Sequence, residues 1–357
     1  MMSTRADRDG LHVVVVGATG NVGTSVVDAL IADPGIGRIT ALARRAPTRT
    51  RDGVEFEPCD ITADDLAPRV RGADVVIDLA WIFQPTHDPV TTWRNNVLGT
   101  LRLFAAVERE RVPALLYSSS VGAYSPGPGR PVDEHWPTNG WPGAAYTREK
   151  AYLERCLDAF ERRNGNTRVV RMRPGFIFKA GVAAEQRRLF AGPLVPGRFV
   201  RPERSPVLPD ISGLRFQAVH SRDVAEAFRA ATRLPVAGAF NIAAEPVIDI
   251  RVLAARFGSR PIPVPARLVR AGLAAAWGLH LVPASPDLFD AVLRLPLLDV
   301  SRAREVLGWS PSHSGVDAIL EMLDGLQRGA DTPTPPLQRR VPGGRWHELA
   351  TGVGQRQ

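Results

Sequence analysis

LHVVVVGATGNVG, residues 11–23, decides how the rest of the chain is read. LHVVVV is an almost unbroken apolar run, the mark of a strand buried on both faces. Gly17, Gly20 and Gly23 follow at G-x-x-G-x-x-G spacing, with Thr19, Asn21 and Val22 between them, and helical spacing begins at Thr24. Glycines allow a tight turn and a close backbone approach, and the helix start offers free N–H groups and a positive dipole end. Together they form a candidate cradle for the pyrophosphate of a dinucleotide. The next strand, RITALA at 38–43, is followed by Arg44 and Arg45 with no acid. A carboxylate there suits the ribose 2′-OH of NAD, whereas an arginine accommodates a 2′-phosphate, so NADP is favoured over NAD and Arg44 is its candidate contact.

Outward from this unit, short β-branched runs alternate with helical segments, which predicts parallel βαβ units. Strands are expected at Val75–Ala80, Ala114–Ser118 and Val169–Met172, with helices at Leu98–Glu110 and Tyr146–Arg162 between them. Phe216–His220, Asp223–Thr232 and Ala239–Ala243 read as strand, helix and strand. The expected architecture is α/β: a doubly wound, parallel Rossmann-type sheet with a smaller, mostly helical substrate-binding region. The sheet domain takes residues 10–178 and 215–245, the substrate region 179–214 and 246–328, and 329–357 reads as a disordered tail rich in Pro and Gly.

A chain of 357 residues with 44% hydrophobic and 23% charged residues can fill a large core, which excludes disordered, collagen-like and disulfide-stapled classes. Two cysteines are too few for a disulfide framework, and no signal peptide or membrane-spanning run is evident, so a reduced cytoplasmic setting is expected. The net charge is +8, and 43 of the 45 basic residues are arginine. They are scattered without interleaved aromatics or a zinc-finger pattern, so no nucleic-acid partner is expected. Histidines 87, 135 and 220 lack metal-ligand spacing, so no metal is expected.

Tyr146-Thr147-Arg148-Glu149-Lys150 puts a phenol and an ammonium four residues apart, on one helix face. With 4 tyrosines and 2 lysines in the chain, random placement gives such a pair only ~2% of the time. An ammonium near a phenol lowers a pKa that starts near ~10 toward acid/base use at neutral pH. Upstream, the strand Ala114–Ser118 runs into Ser119 and Ser120, at the strand end where open parallel sheets bind ligands.

With these motifs in order, the chain resembles the extended short-chain dehydrogenase/reductase superfamily, specifically the NAD-dependent epimerase/dehydratase family, over roughly residues 11–310. The resemblance rests on GATGNVG at 17–23, CDI at 59–61, DLAW at 78–81, NVLGT at 96–100, YSSS at 117–120, YTREK at 146–150, RPGFIF at 173–178, VHSRDVA at 219–225, FNIA at 240–243 and LGWSP at 307–311. It implies Tyr146 as general acid/base, Lys150 lowering its pKa and holding the nicotinamide ribose, Ser120 orienting the substrate oxygen, and Asn96 as a structural or proton-relay position. Asp60 and Ile61 would contact the adenine, Leu79 and Ala80 would line the cofactor, and Pro174, Gly175, Phe176 and Ile177 would flank the nicotinamide. A small-molecule substrate follows, and a homodimer is among the assemblies that the resemblance allows.

This sequence departs from the family pattern at Trp81, where a small residue is usual, at Arg44, and after Pro174, where no asparagine matches the one many nucleotide-sugar members place on a diphosphate. Trp81, Phe83, Phe176 and Phe178, with a loop at 124–145 holding Trp136, Trp141 and five prolines, fit an apolar carbonyl or alcohol under a lid as well as they fit plain interface packing. Ala266–Val282 reads as a packed helix of the substrate region. Three functions remain: an NAD(P)-dependent oxidoreductase, a nucleotide-sugar epimerase or dehydratase that retains NAD, and a catalytically silent dinucleotide sensor.

Overall fold

The computed structural model describes residues 10–45, 47, 51–84, 86–191, 204–330, 332 and 334–338. Seven strands form the central sheet: β1 (Leu11–Val16), β2 (Ile36–Ala43), β3 (Val54–Pro58), β4 (Val75–Asp78), β5 (Ala114–Ser118), β6 (Arg168–Pro174) and β7 (Gly238–Ile242). Every pairing is parallel and the spatial order is β7-β6-β5-β4-β1-β2-β3, the doubly wound arrangement whose order reverses between β1 and β4.

Strand alternation builds two cores. Val13 and Val15 join Val26, Val27, Ile77, Leu116 and Phe228 on one face. Val14 and Val16 join Leu42, Leu103, Leu115, Leu153 and Phe160 on the other. Successive side chains point to opposite faces, so a strand covered on both sides must be apolar at every position.

The helices of seven or more residues are α1 (Asn21–Ile31), α2 (Gly99–Arg109), α3 (Ala145–Arg163), α4 (Ser221–Arg233), α5 (Ile250–Phe257), α6 (Ala266–Gly278), α7 (Pro286–Val292), α8 (Ser301–Leu307) and α9 (Gly315–Arg328). α1 and α4 pack side by side, with their Ser25 and Ser221 hydroxyls 2.9 Å apart. Pro89–Thr92 and a π-helical turn, Trp93–Leu98, lead directly into α2.

Four expectations need correction. β3 is a sheet strand that was not expected; its Val54 and Phe56 alternate with Glu55 and Glu57, as an edge strand should. Phe216–His220 does not join the main sheet: Ala218–His220 pairs with Phe176–Phe178 in a separate two-stranded ribbon. The substrate region also contains strand pairing, Val207–Ile211 with Arg260–Val264. Finally, α6 packs more lightly than expected: it rests on α7, and none of its 13 residues is fully buried.

Beyond residue 329, where a disordered tail is expected, Thr334–Gln338 lies against the body and Leu337 is 0% exposed. The rest of that tail, from 339 onward, lies outside the described residues.

Candidate active site

The carboxyl ends of β1, β2 and β4 open onto a groove of about 350 Å³, within the range of small-molecule sites. Gly17, Thr19 and Gly20 form its floor, with Arg44, Asp60 and Ile61 at one end and Leu79, Ala80 and Asn96 along it. Gly17 has φ +81°, and a Cβ there would sit 2.8 Å from the Ala80 nitrogen, so only glycine fits the turn. A Cβ on Gly20 would find its nearest neighbour at 3.5 Å, leaving the backbone open toward a ligand. No side chain caps the first turn of α1, so its N–H groups are available to an anion. A dinucleotide's pyrophosphate therefore fits this loop. Arg44, exposed directly after β2, is positioned at the groove wall as its spacing predicts.

Other expected cofactor residues take supporting places instead of wall positions. Asn21 donates through Nδ2 to the Ile177 carbonyl at 3.2 Å, and a Cβ on Gly23 would collide with the Gly17 carbonyl, so both fix how α1 meets the loop. Val22 is half-buried and packs against the core. Pro174 closes β6, Gly175 gives its space to the Gln217 carbonyl, and Phe176 packs edge-on to Phe216 at 4.9 Å.

Ser120, Tyr146 and Lys150 converge past the end of β5, but not as a simple triad. Ser120 stands beside the Tyr146 phenol and accepts from the Gly122 N–H at 2.9 Å. Gly122 was not foreseen: a Cβ there would stand 2.8 Å from the Tyr146 ring and 3.4 Å from the Ser120 hydroxyl, so its glycine makes the room. Burial pushes the Tyr146 phenol up to about 12, and the neighbouring Ser120 hydroxyl opposes only part of that. Lys150 does not counter it. Its ammonium donates to the Ser118 carbonyl at 2.7 Å and lies 3.5 Å from the centre of the Trp81 ring. Burial brings this lysine down to about 7, against the pull of Asp78, itself pushed up to about 6 by burial.

Trp81 and Phe83 form the wall between groove and phenol. Trp81 meets Tyr146 edge-on at 5.6 Å, and Phe83 stacks on it at 4.9 Å. Both also line the groove on one side and, on the other, a cavity of about 60 Å³ beside Tyr146. Asn96 holds this wall. Its amide accepts from the Ile82 N–H and donates to the Ile82 carbonyl, both at 2.8 Å, and donates to buried Glu149 at 2.7 Å. Thr92 donates to the same carboxylate at 2.6 Å, which anchors the π-helical turn to α3.

One turn further along α3, Glu154 accepts from Ser119 at 2.6 Å and from Arg173 and Arg171 at 2.9 and 3.0 Å. These arginines hold its carboxyl down at about 2 although burial opposes them. Glu149 and Glu154 were not singled out from sequence; their spacing from Tyr146 along one helix face is the only local signal. Trp136 and Trp141, expected in a lid, pack elsewhere: Trp136 donates to the Ser125 carbonyl and Trp141 lies under Arg294.

His220, Asp223 and His313 come within 4.8 Å of one another. His220 Nδ1 accepts the Arg222 N–H, which leaves the ring proton on Nε2, 3.1 Å from Glu321. The two imidazoles are stacked at 4.1 Å, and Asp223 accepts from Ser312 and from the His313 backbone N–H. These contacts join α4 to the start of α9.

Among solved structures, Thermus thermophilus UDP-glucose 4-epimerase with NAD superposes with a TM-score of 0.65 at 21% identity, covering 90% of this chain and 100% of that one. An uncharacterized protein of Mycobacterium tuberculosis is 26% identical across 96% of this chain and 90% of its own length. A UDP-glucose 4-epimerase of Mycolicibacterium smegmatis is 27% identical across 88% and 98%. No described helix is long and apolar enough to cross a membrane. Residues 13–243, from β1 past β7 and so including the glycine loop, Ser120, Tyr146 and Lys150, match one family, and this chain belongs to it: the NAD dependent epimerase/dehydratase family.

Proposed function

We propose that this enzyme is an oxidoreductase that prefers NADP and moves hydride between the nicotinamide and a hydroxyl or ketone of a largely apolar small molecule. The carrying observation is the site's lining: the Tyr146 phenol, beside Ser120, is faced by Trp81 and Phe83. A bound nicotinamide supplies the hydride acceptor or donor. In reduction the Tyr146 phenol gives its proton to the carbonyl oxygen and becomes phenolate; in oxidation the phenolate takes the hydroxyl proton back, while Ser120 orients the substrate oxygen. Lys150, its charge made costly by burial, gains from any hydroxyl or anion that replaces the indole at its ammonium. Arg44 receives the 2′-phosphate. The 60 Å³ beside Tyr146 is far below the ~300 Å³ of a typical ligand site, so Trp81 or Phe83 turns aside when substrate enters.

A second reading, epimerisation or dehydration of a nucleotide sugar with NAD retained, is favoured by the UDP-glucose 4-epimerases among the relatives. A homodimer through α2 and α3 suits the exposed Leu98, just before α2, and Tyr152, on α3.

Fluorescence titration with NADPH and NADH, on wild type and Arg44→Ala, tests the cofactor. NADPH should bind more tightly, and Arg44→Ala should weaken it about tenfold, the value of one charge-assisted hydrogen bond. Equal binding of both, or NAD carried through purification, moves the assignment to the second reading. Tyr146→Phe should lower kcat by about 10²–10⁴-fold with dinucleotide binding intact; full retention of every cellular role would favour the sensor.

A further inference from the structure

Beyond the glycine loop and Arg44, the dinucleotide groove has a wall from the far end of the chain: Pro335, Pro336 and Gln338 line it together with Arg188. The Arg188 guanidinium donates to the carbonyls of Pro336 at 2.8 Å and Gln338 at 2.9 Å, one nitrogen to each. Such a planar fork binds two acceptors at once, which a point-charge ammonium does poorly. The Arg188 carbonyl in turn accepts from the Gln84 side chain at 3.1 Å, and Gln84 follows Phe83 on the loop after β4. Leu337 is fully buried between the two tethered carbonyls, and the Leu337 and Gln338 N–H groups donate to the Thr334 carbonyl at 3.0 and 3.1 Å. Two successive prolines carry no N–H, so they can face the groove without leaving a donor unpaired.

We infer that Arg188 and Pro335–Gln338 form a strap over the dinucleotide groove that slows the departure of bound nucleotide. The inference rests on the groove being a dinucleotide site, as proposed above. A nucleotide seated there leaves past a wall tied by charged hydrogen bonds and one buried leucine. The strap therefore acts on the off-rate more than on the on-rate.

The test is stopped-flow displacement of NADPH and NADH from the full chain, comparing wild type with Arg188→Ala, Arg188→Lys and Leu337→Ser. Leu337 does not line the groove, and Arg188→Lys keeps the positive charge while losing the fork. Release should accelerate at least tenfold in all three, with association changed less than threefold. Release from Arg188→Lys at the wild-type rate assigns Arg188 to ligand charge and overturns the strap, as does wild-type release from a folded Leu337→Ser. Hydrogen exchange on wild type gives a reading independent of any variant: saturating NADPH should slow exchange at the Leu337 and Gln338 amides, and unchanged exchange overturns the strap. Wild-type protein that binds neither dinucleotide removes the functional reading and the strap with it, whereas binding with variant-insensitive release removes the strap alone.

Discussion

Two helices of this chain reverse what their compositions suggest. α3 holds Tyr146, Glu149, Lys150, Glu154 and four arginines, yet Glu149, Lys150 and Glu154 are all buried. α6, ARLVRAGLAAAWG, is rich in apolar residues and buries none, with Leu268 61% exposed. The difference lies in partners. Every buried charge of α3 meets a group of opposite character from another element: Asn96 and Thr92 for Glu149, the Ser118 carbonyl and Trp81 face for Lys150, Ser119 and two arginines for Glu154. A buried charge is tolerated when so satisfied and costly when not. α6 meets no sheet face. It is tethered by Arg270 to Asp290 of α7 at 2.7 Å and by Trp277, stacked on His87 at 4.0 Å. Burial here follows the availability of complementary surface, not the hydrophobicity of the segment.

That contrast can be broken, beginning where the effect is largest. Glu154→Ala should destabilise the fold by about 3–5 kcal/mol in denaturant melts, because it takes from buried Arg173 the carboxylate that it pairs with, while Arg171 keeps Asp158 and Glu161. A loss below 1 kcal/mol would mean that the network is dispensable. Leu153→Ala, beside it and wholly buried, should cost about 2–5 kcal/mol, the range for a leucine cavity.

Acid sharpens the same point. The Glu154 carboxyl is held at about 2 against an ordinary 4.5, so its stabilisation is complete above pH 4.5 and is lost as pH falls toward 2. Wild type should lose stability across that window more steeply than Glu154→Gln does, as read from urea midpoints at successive pH values. On α6, Arg270→Ala should leave the urea midpoint essentially unchanged, since its guanidinium is solvent-exposed. Leu268→Ser should stay within about 0.5 kcal/mol, and a larger loss would reveal a packed surface under α6.

Legibility in the sequence followed locality. The β1 strand with its glycine loop, and separately the Tyr146–Lys150 pair, are each written within a few consecutive residues, so turn geometry and period alone expose them. β3 was also within reach, since Val54 and Phe56 alternate with glutamates. Gly122 was not, because its meaning depends on a Tyr146 ring brought to it by a different element. Nor was Glu149, whose partners Asn96 and Thr92 are 53 and 57 residues away. The expectation that Lys150 tunes Tyr146 rested on helix spacing, which puts both on one face but says nothing of Trp81 taking the ammonium.

By itself, then, the sequence determined the doubly wound α/β architecture, the glycine turn between β1 and α1, the place of Arg44 at the end of the second strand and the helical spacing of Tyr146 and Lys150, because each is written in residues that are neighbours along the chain. Only the tertiary structure decided which buried charges are paired, that an aromatic wall stands between groove and phenol, and that Pro335–Gln338 returns to the groove. These depend on contacts across long separations, where pairing, desolvation and packing are fixed by which surfaces meet and not by local propensity.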